Sequence, residues 1–264
     1  MRSIFLYFII VILIFQGCKA HSQEIVNKTE TTKSPCTSRL EENLPNQQWA
    51  CYVTTRNWDS LATLYTNNAI KVRTSGAVFT IPDAIKEYYA KKEVVIQTIY
   101  TAKRIKANPI YDYEIGGFNL QSGESYKYLL IWNTEGTQKR QLECIAQATK
   151  NIPIDPQIEK RRAQWIKLCN AHDALALVTQ LYTPNAVYYN HKPLVIGTQA
   201  IAQEYSYMNQ TQYSLGLTPL HLEMVTSTLA FEMGQCTGGY NGKYLLVWQK
   251  NEQGLWQVLF DSNI

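Results

Sequence analysis

One unit is written twice in this chain, and that repetition restricts its fold more than any other feature. Gln48-Trp49 returns as Gln164-Trp165, 116 residues later, and Leu64-Tyr65-Thr66 returns as Leu181-Tyr182-Thr183. Ala84-Ile85 and Tyr89 match Ala200-Ile201 and Tyr205, while Glu114-Ile115-Gly116 answers Glu232-Met233-Gly234. Lys127-Tyr128-Leu129-Leu130-Ile131-Trp132 is nearly copied as Lys243-Tyr244-Leu245-Leu246-Val247-Trp248. Six blocks in one order at near-constant spacing predict two copies of one domain. Between them, Ile152-Pro153-Ile154-Asp155-Pro156 carries two prolines that interrupt both helix and ladder. The boundaries drawn are a divergent copy over 42–150, a linker over 151–157 and a cleaner copy over 158–264. Each copy has an ordinary domain length.

The second copy is the more legible. Trp165, Leu168 and Cys169 mark one face of a helix starting near Pro156. Leu175, Val178, Leu181 and Tyr182 mark a second helix, with Asp173 as its N-cap. Pro184-Asn185 is expected to stop that helix before a short strand over 186–189. Gly197-Thr198 then opens a third helix carrying Ile201, Tyr205 and Met208. From Leu220 the period changes to two, with further strand-like runs over 229–237, 243–249 and 255–261. Helices followed by a meander give an α+β class: two cone-like α+β barrels, each of three helices packed on a curved antiparallel sheet. In the run over 243–249, Tyr244, Leu246 and Trp248 face one way and Leu245 and Val247 the other. One face is expected to carry the helices and enclose a cavity. The other is free to pair with the sister repeat or with a second chain in a homodimer.

Leu181-Tyr182-Thr183-Pro184-Asn185-Ala186, Gly197-Thr198-Gln199-Ala200-Ile201, Glu232-Met233-Gly234 and Gly242-Lys243-Tyr244-Leu245-Leu246-Val247-Trp248 follow in that order. On this layout they resemble SnoaL-like domains of the nuclear transport factor-like superfamily. The resemblance spans 158–263 and, more loosely, 45–148. It implies conical α+β barrels with a pocket at the open end and pairing through the sheet. It implies no single activity, because members include isomerases, dehydratases, cyclases, scaffolds and simple binders. Isomerase-like members carry a carboxylate base eight residues beyond the aromatic that ends the second helix, and here those places hold Asn190 and Arg73. Neither abstracts a proton from carbon at neutral pH.

Function must therefore be read from other polar residues of the second copy. His191 offers an imidazole as a base, but beside Lys192-Pro193 it reads as a loop residue. Glu232 lies mid-strand, opposite in alternation to Phe231 and Met233, and is expected in solvent. Only if the sheet curves that side inward does it become a buried acid. Asp261, at the end of the last strand, shares the ambiguity. If the chain is a lyase or isomerase with its site in the C-terminal copy, His191, Glu232 and Asp261 are its catalytic candidates. Tyr188, Asn190, Tyr205 and Trp248 are the ligand-binding candidates, although as core packing the aromatics need no ligand. The four His lack ligand-like spacing, so no metal site is predicted, and no phosphate loop, nucleophile elbow or cofactor motif occurs. Lys+Arg 25 against Asp+Glu 21, without a basic block, makes nucleic acid an unexpected partner. The favoured reading is a non-catalytic module that binds a small apolar or aromatic molecule, or a protein partner.

Export is read from residues 1–18. Ile4 to Phe15 is an apolar run of twelve residues, the length of a secretory signal core and too short to span a bilayer. Phe15-Gln16-Gly17-Cys18 resembles a lipobox, making Cys18 the lipidation site and a membrane-anchored envelope lipoprotein the expectation. Cleavage after Ala20 with plain secretion, or an uncleaved anchor, are the alternatives. Residues 19–41 are polar and read as a flexible tether, and Asn27-Lys28-Thr29 matches a glycosylation triplet. Five Cys follow Cys18, so at least one stays unpaired within the chain. Cys51 and Cys169, each in a helical pattern, are read as small buried hydrophobes.

Overall fold

Each copy repeats one folding order, helices first and meander after. The computed structural model describes residues 44–80, 82–91 and 93–264. Cys18, the leader, the tether, Asn27 and Cys36 lie outside the described residues. In the N-terminal half, α1 (Leu44–Thr54) and α2 (Trp58–Thr63) precede β1 (Tyr65–Val72) and β2 (Val78–Thr80). Next come α3 (Pro82–Ala90) and the strands β3 (Ile96–Lys106), β4 (Tyr111–Leu120), β5 (Ser125–Asn133) and β6 (Lys139–Ala148). The C-terminal half runs α4 (Gln157–Asn170), α5 (Ala174–Leu181), β7 (Tyr182–Tyr189), β8 (Val195–Ile196) and α6 (Thr198–Glu204). A 3-10 turn (Tyr205–Asn209) then leads to β9 (Leu215–Thr226), β10 (Leu229–Gly238), β11 (Lys243–Lys250) and β12 (Trp256–Ser262).

Local chemistry accounts for the joints. Asp173 caps α5 by accepting from the Ala176 N–H at 2.8 Å, which satisfies one orphan donor of the first turn. Gly197, at φ +88°, turns the chain into α6. Pro184 does not stop α5 as expected: the helix ends at Leu181, and Pro184 and Asn185 sit exposed within β7. Pairing of β7 with β12 slips between Tyr182 and Val187, so no ladder bond asks for the missing proline N–H.

The sheets run β2-β1-β6-β5-β4-β3 and β8-β7-β12-β11-β10-β9. Both are mixed rather than antiparallel throughout, because β1 joins β6 and β7 joins β12 in parallel. The repeated Glu-x-Gly motif has a steric cause. Gly116 lies opposite Tyr128 across the ladder, and Gly234 lies opposite Tyr244. A Cβ on either glycine would come within 2.4 Å of Tyr128 Oη or 2.3 Å of Tyr244 Oη. The bare backbone lets each phenol cross to the glutamate two residues back, at 2.8 Å for Glu114 and 2.7 Å for Glu232.

Strand alternation sorts side chains into an inner and an outer core. Tyr244, Leu246 and Trp248 face the helices of their own half, and Leu245 and Val247 face away. The outer faces of the two sheets meet in one apolar layer, where Val72, Leu129 and Ile131 pack with Phe231, Val247 and Phe260. At roughly 25 cal/mol per Å² of apolar area, this layer is the main cohesive contact between the halves. At its margin the Ile264 N–H donates to Tyr113 Oη at 2.9 Å, and Gln249 Nε2 donates to the Thr74 carbonyl at 2.9 Å. Cys169 is buried with a free thiol, whereas Cys51 is half-buried and disulfide-bonded. Two positions along a helix do not share a face, so burial of Trp49 does not carry Cys51 inward with it.

Candidate functional site

The two cones differ most in the space they enclose. In the C-terminal cone it is about 20 Å³, room for about one water. In the N-terminal cone it is about 420 Å³, within the range of small-ligand pockets. The chain beyond α6 explains the closed cone. Its 3-10 turn brings Tyr207 and Met208 to meet Tyr213 and Tyr240 across the interior, and the Tyr207 and Tyr213 rings pack edge-on at 5.3 Å. In the N-terminal half α3 ends at Ala90, and no 3-10 turn follows it among the described residues. Trp49, Val53, Val94, Ile96, Phe118 and Tyr126 wall the cavity, and Thr226, Thr228 and Gln249 of the other half reach its mouth.

The polar floor of this cavity is Lys71 of β1 and Tyr89 of α3, backed by Arg140 and Glu143 of β6. Lys71 Nζ lies 2.7 Å from Glu143 Oε1 and 3.0 Å from Tyr89 Oη, and stands over the Tyr88 ring at 4.5 Å. Tyr89 Oη donates to the same carboxylate oxygen at 2.6 Å. Glu143 Oε2 accepts from Tyr65 Oη at 2.8 Å and from Arg140 Nη1 at 3.0 Å. Burial alone raises the Glu143 carboxyl, but Lys71 and Arg140 outweigh it and hold it down at about 2. Arg73, two residues beyond Lys71 and therefore on the same side of the chain, stands at the rim over Tyr88 at 5.9 Å. No Asp or Glu is among the described residues that line the cavity.

The matching positions of the C-terminal cone lack the two cations and keep only a carboxyl. Register places Tyr188 where the first half has Lys71, Val258 where it has Arg140, and Asp261 where it has Glu143. Asp261 Oδ2 accepts from Tyr182 Oη at 2.5 Å and from Tyr205 Oη. Burial pushes this carboxyl up to about 6, the two phenols offsetting only part of it. Glu232 is fully buried, not in solvent, because the curved sheet turns its side toward α4. There Arg162 grips it with two hydrogen bonds of 2.7 and 2.9 Å, and Trp248 Nε1 donates at 2.9 Å.

Tyr205 and Asp261 line the small C-terminal cavity. Tyr188 is buried with its hydroxyl donating to Asn263 Oδ1 at 2.6 Å, and Trp248 is buried on Glu232. Asn190 and His191 follow β7 in a loop, where His191 is exposed at φ +62° and stacks on Tyr111 of the other half at 6.4 Å. Of Asn190, His191, Glu232 and Asp261, only Asp261 therefore reaches that cavity. Among the described residues no group of His, Cys, Asp and Glu is placed to hold a metal ion. Lys71, Arg140 and Glu143 went unread in the sequence. The available signal was charge inside strands whose counterparts are Tyr188 and Val258, since unpaired cations are rarely buried.

No family model matches the chain, and no curated protein matches it. Solved structures do. An NTF2-like protein from Cytophaga hutchinsonii is 12% identical with a TM-score of 0.33, over 39% of this chain and 92% of that one. An NTF-2 like protein of unknown function from Shewanella oneidensis is 14% identical with a TM-score of 0.37, over 40% and 94%. A ketosteroid isomerase-like protein from Erwinia carotovora atroseptica is 9% identical with a TM-score of 0.33, over 42% and 99%. What these proteins share with this chain is a likeness of fold, met over 39–42% of its length at a time.

Proposed function

We propose that the chain is a non-catalytic binding module, in which the N-terminal cone takes a small apolar or aromatic molecule and the C-terminal cone is its closed structural mate. One observation carries this reading: a cavity of about 420 Å³ in one cone beside about 20 Å³ in its twin. The carboxylate nearest the cavity argues against proton abstraction. Both Glu143 oxygens are occupied by donors, and a carboxyl held near 2 is a weak base at neutral pH. We further place the module outside the cytoplasm, anchored by lipid on Cys18. In favour of that are the apolar run over 4–15, the Gly17-Cys18 step and the disulfide at Cys51, a bond kept in oxidising compartments.

Native mass spectrometry of the purified chain tests the reading. The expected result is a small-molecule adduct that exchanges chemically unchanged. It is lost in Val94→Trp, which fills the N-terminal cavity, and kept in Leu217→Trp, which alters the C-terminal one. An adduct that survives Val94→Trp sinks the assignment of the site, and turnover of the ligand replaces binding with lyase or isomerase chemistry.

A further inference from the structure

Resting on the binding reading just given, we infer that the ligand of the N-terminal cavity carries a carboxylate, seated between Lys71 and Arg73, on an aromatic or apolar body. Among the described residues, the charges that face the cavity are of one sign. Lys71 and Arg73 line it, while Glu143 stands behind Lys71 and does not. An ammonium has three donors, and Lys71 spends one on Glu143 and one on Tyr89, which leaves one for a ligand. Among the described residues the Arg73 guanidinium has no ion pair, and its fork geometry matches a carboxylate.

Cationic ligands are disfavoured by the same geometry. The faces of Tyr88 and Tyr89, which would otherwise receive an alkylammonium group, already hold Lys71 at 4.5 and 4.7 Å. A second cation placed there meets the like charges of Lys71 and Arg73. Part of the remaining wall is apolar, where Trp49, Val53, Ile96 and Phe118 give a surface for the ligand body, and Gln147, Thr226, Thr228 and Gln249 add neutral polar groups. A neutral apolar molecule offers no oxygen acceptor to the third Lys71 donor or to the Arg73 guanidinium, whereas a carboxylate offers one to each.

The test is calorimetric titration of the full chain with benzoate, 2-naphthoate and indole-3-acetate, each against its own neutral amide. The expected result is about tenfold tighter binding of the acids, since one charge-assisted hydrogen bond is worth about that factor. Arg73→Gln, at an exposed rim position, is expected to weaken the acids several-fold and leave the amides unchanged. Because Lys71→Met alone strands Glu143, the double variant Lys71→Met with Glu143→Gln removes the pair together and is expected to abolish the preference for acids. Equal binding of acids and amides overturns the anion inference and leaves the cavity as a binding site. Failure of both series to bind overturns the cavity reading and this inference with it.

Discussion

In the C-terminal cone Glu232 is met by Arg162 from α4; in the N-terminal cone the matching Glu114 is met by Asn46 and, at 3.8 Å, by Arg104 of β3, while the buried guanidinium of Arg140 on β6 reaches it only through Asn46. Asn46 bridges the two, donating to Glu114 Oε1 at 2.8 Å and accepting from Arg140 Nη2 at 2.9 Å. Moving the cation from helix to strand also sets it beside Glu143, which in turn permits Lys71 on β1. The closed cone instead fills the same register with Tyr188 and Val258. One scaffold thus supports two interiors. The polar one keeps a cavity, and the aromatic one fills it.

Removing a partner from a buried pair is the harshest way to break this comparison. Arg162→Met leaves the buried Glu232 carboxyl without its guanidinium, and is expected to cost about 3–5 kcal/mol in denaturant unfolding. Adding Glu232→Gln should recover most of that loss, and a single-variant cost under about 1 kcal/mol would show that the pair is not what holds α4 to the sheet. Glu143→Gln comes next, at about 2–4 kcal/mol, because it leaves Lys71 and Arg140 facing each other. The Glu143 carboxyl is held below its unfolded value, so its stabilisation is present above about pH 4.5 and fades as pH falls toward 2. The variant should flatten that acid limb of the stability profile.

Asp261 sharpens the contrast with the opposite sign. Its folded value near 6 exceeds the unfolded 3.8, so the folded state holds the proton more tightly. Stability from this group is full below about pH 4 and declines as pH rises through 6. Asp261→Asn keeps an acceptor for Tyr182 and Tyr205, and is expected to raise stability at pH 7 by about 1–3 kcal/mol. A thermal midpoint at pH 7 that falls in this variant would sink the account of an uncompensated carboxylate. The smallest effect belongs to Arg73→Gln, within about 0.5 kcal/mol of the parent on unfolding, because the side chain is exposed and forms no ion pair among the described residues.

Much of the scaffold was legible from patterns that depend on period and capping. Trp165 and Cys169 on α4, the Asp173 cap, and the split of Tyr244, Leu246 and Trp248 from Leu245 and Val247 all follow from one-dimensional spacing. The parallel pairing of β1 with β6 and of β7 with β12 was not legible, because it joins residues far apart in sequence. Glu232 was misread for a related reason. Strand alternation says that its side differs from that of Phe231, but only the curvature of the sheet decides which side is dry. The polar floor stayed hidden because Lys71, Arg140 and Glu143 are contributed by a strand and a hairpin edge 72 residues apart in the case of Lys71 and Glu143. In the copy that departs most from the motif pattern, that departure was itself the sign of a different interior.

The apolar layer between the sheets lies within a single polypeptide, and this has a consequence for how the molecule varies. A pair of separate, identical subunits would come apart on dilution, and any change in one pocket would appear in both. Fused halves stay matched at every concentration, because the linker makes their encounter intramolecular. Each interior is then free to change alone while its neighbour keeps the shared surface intact.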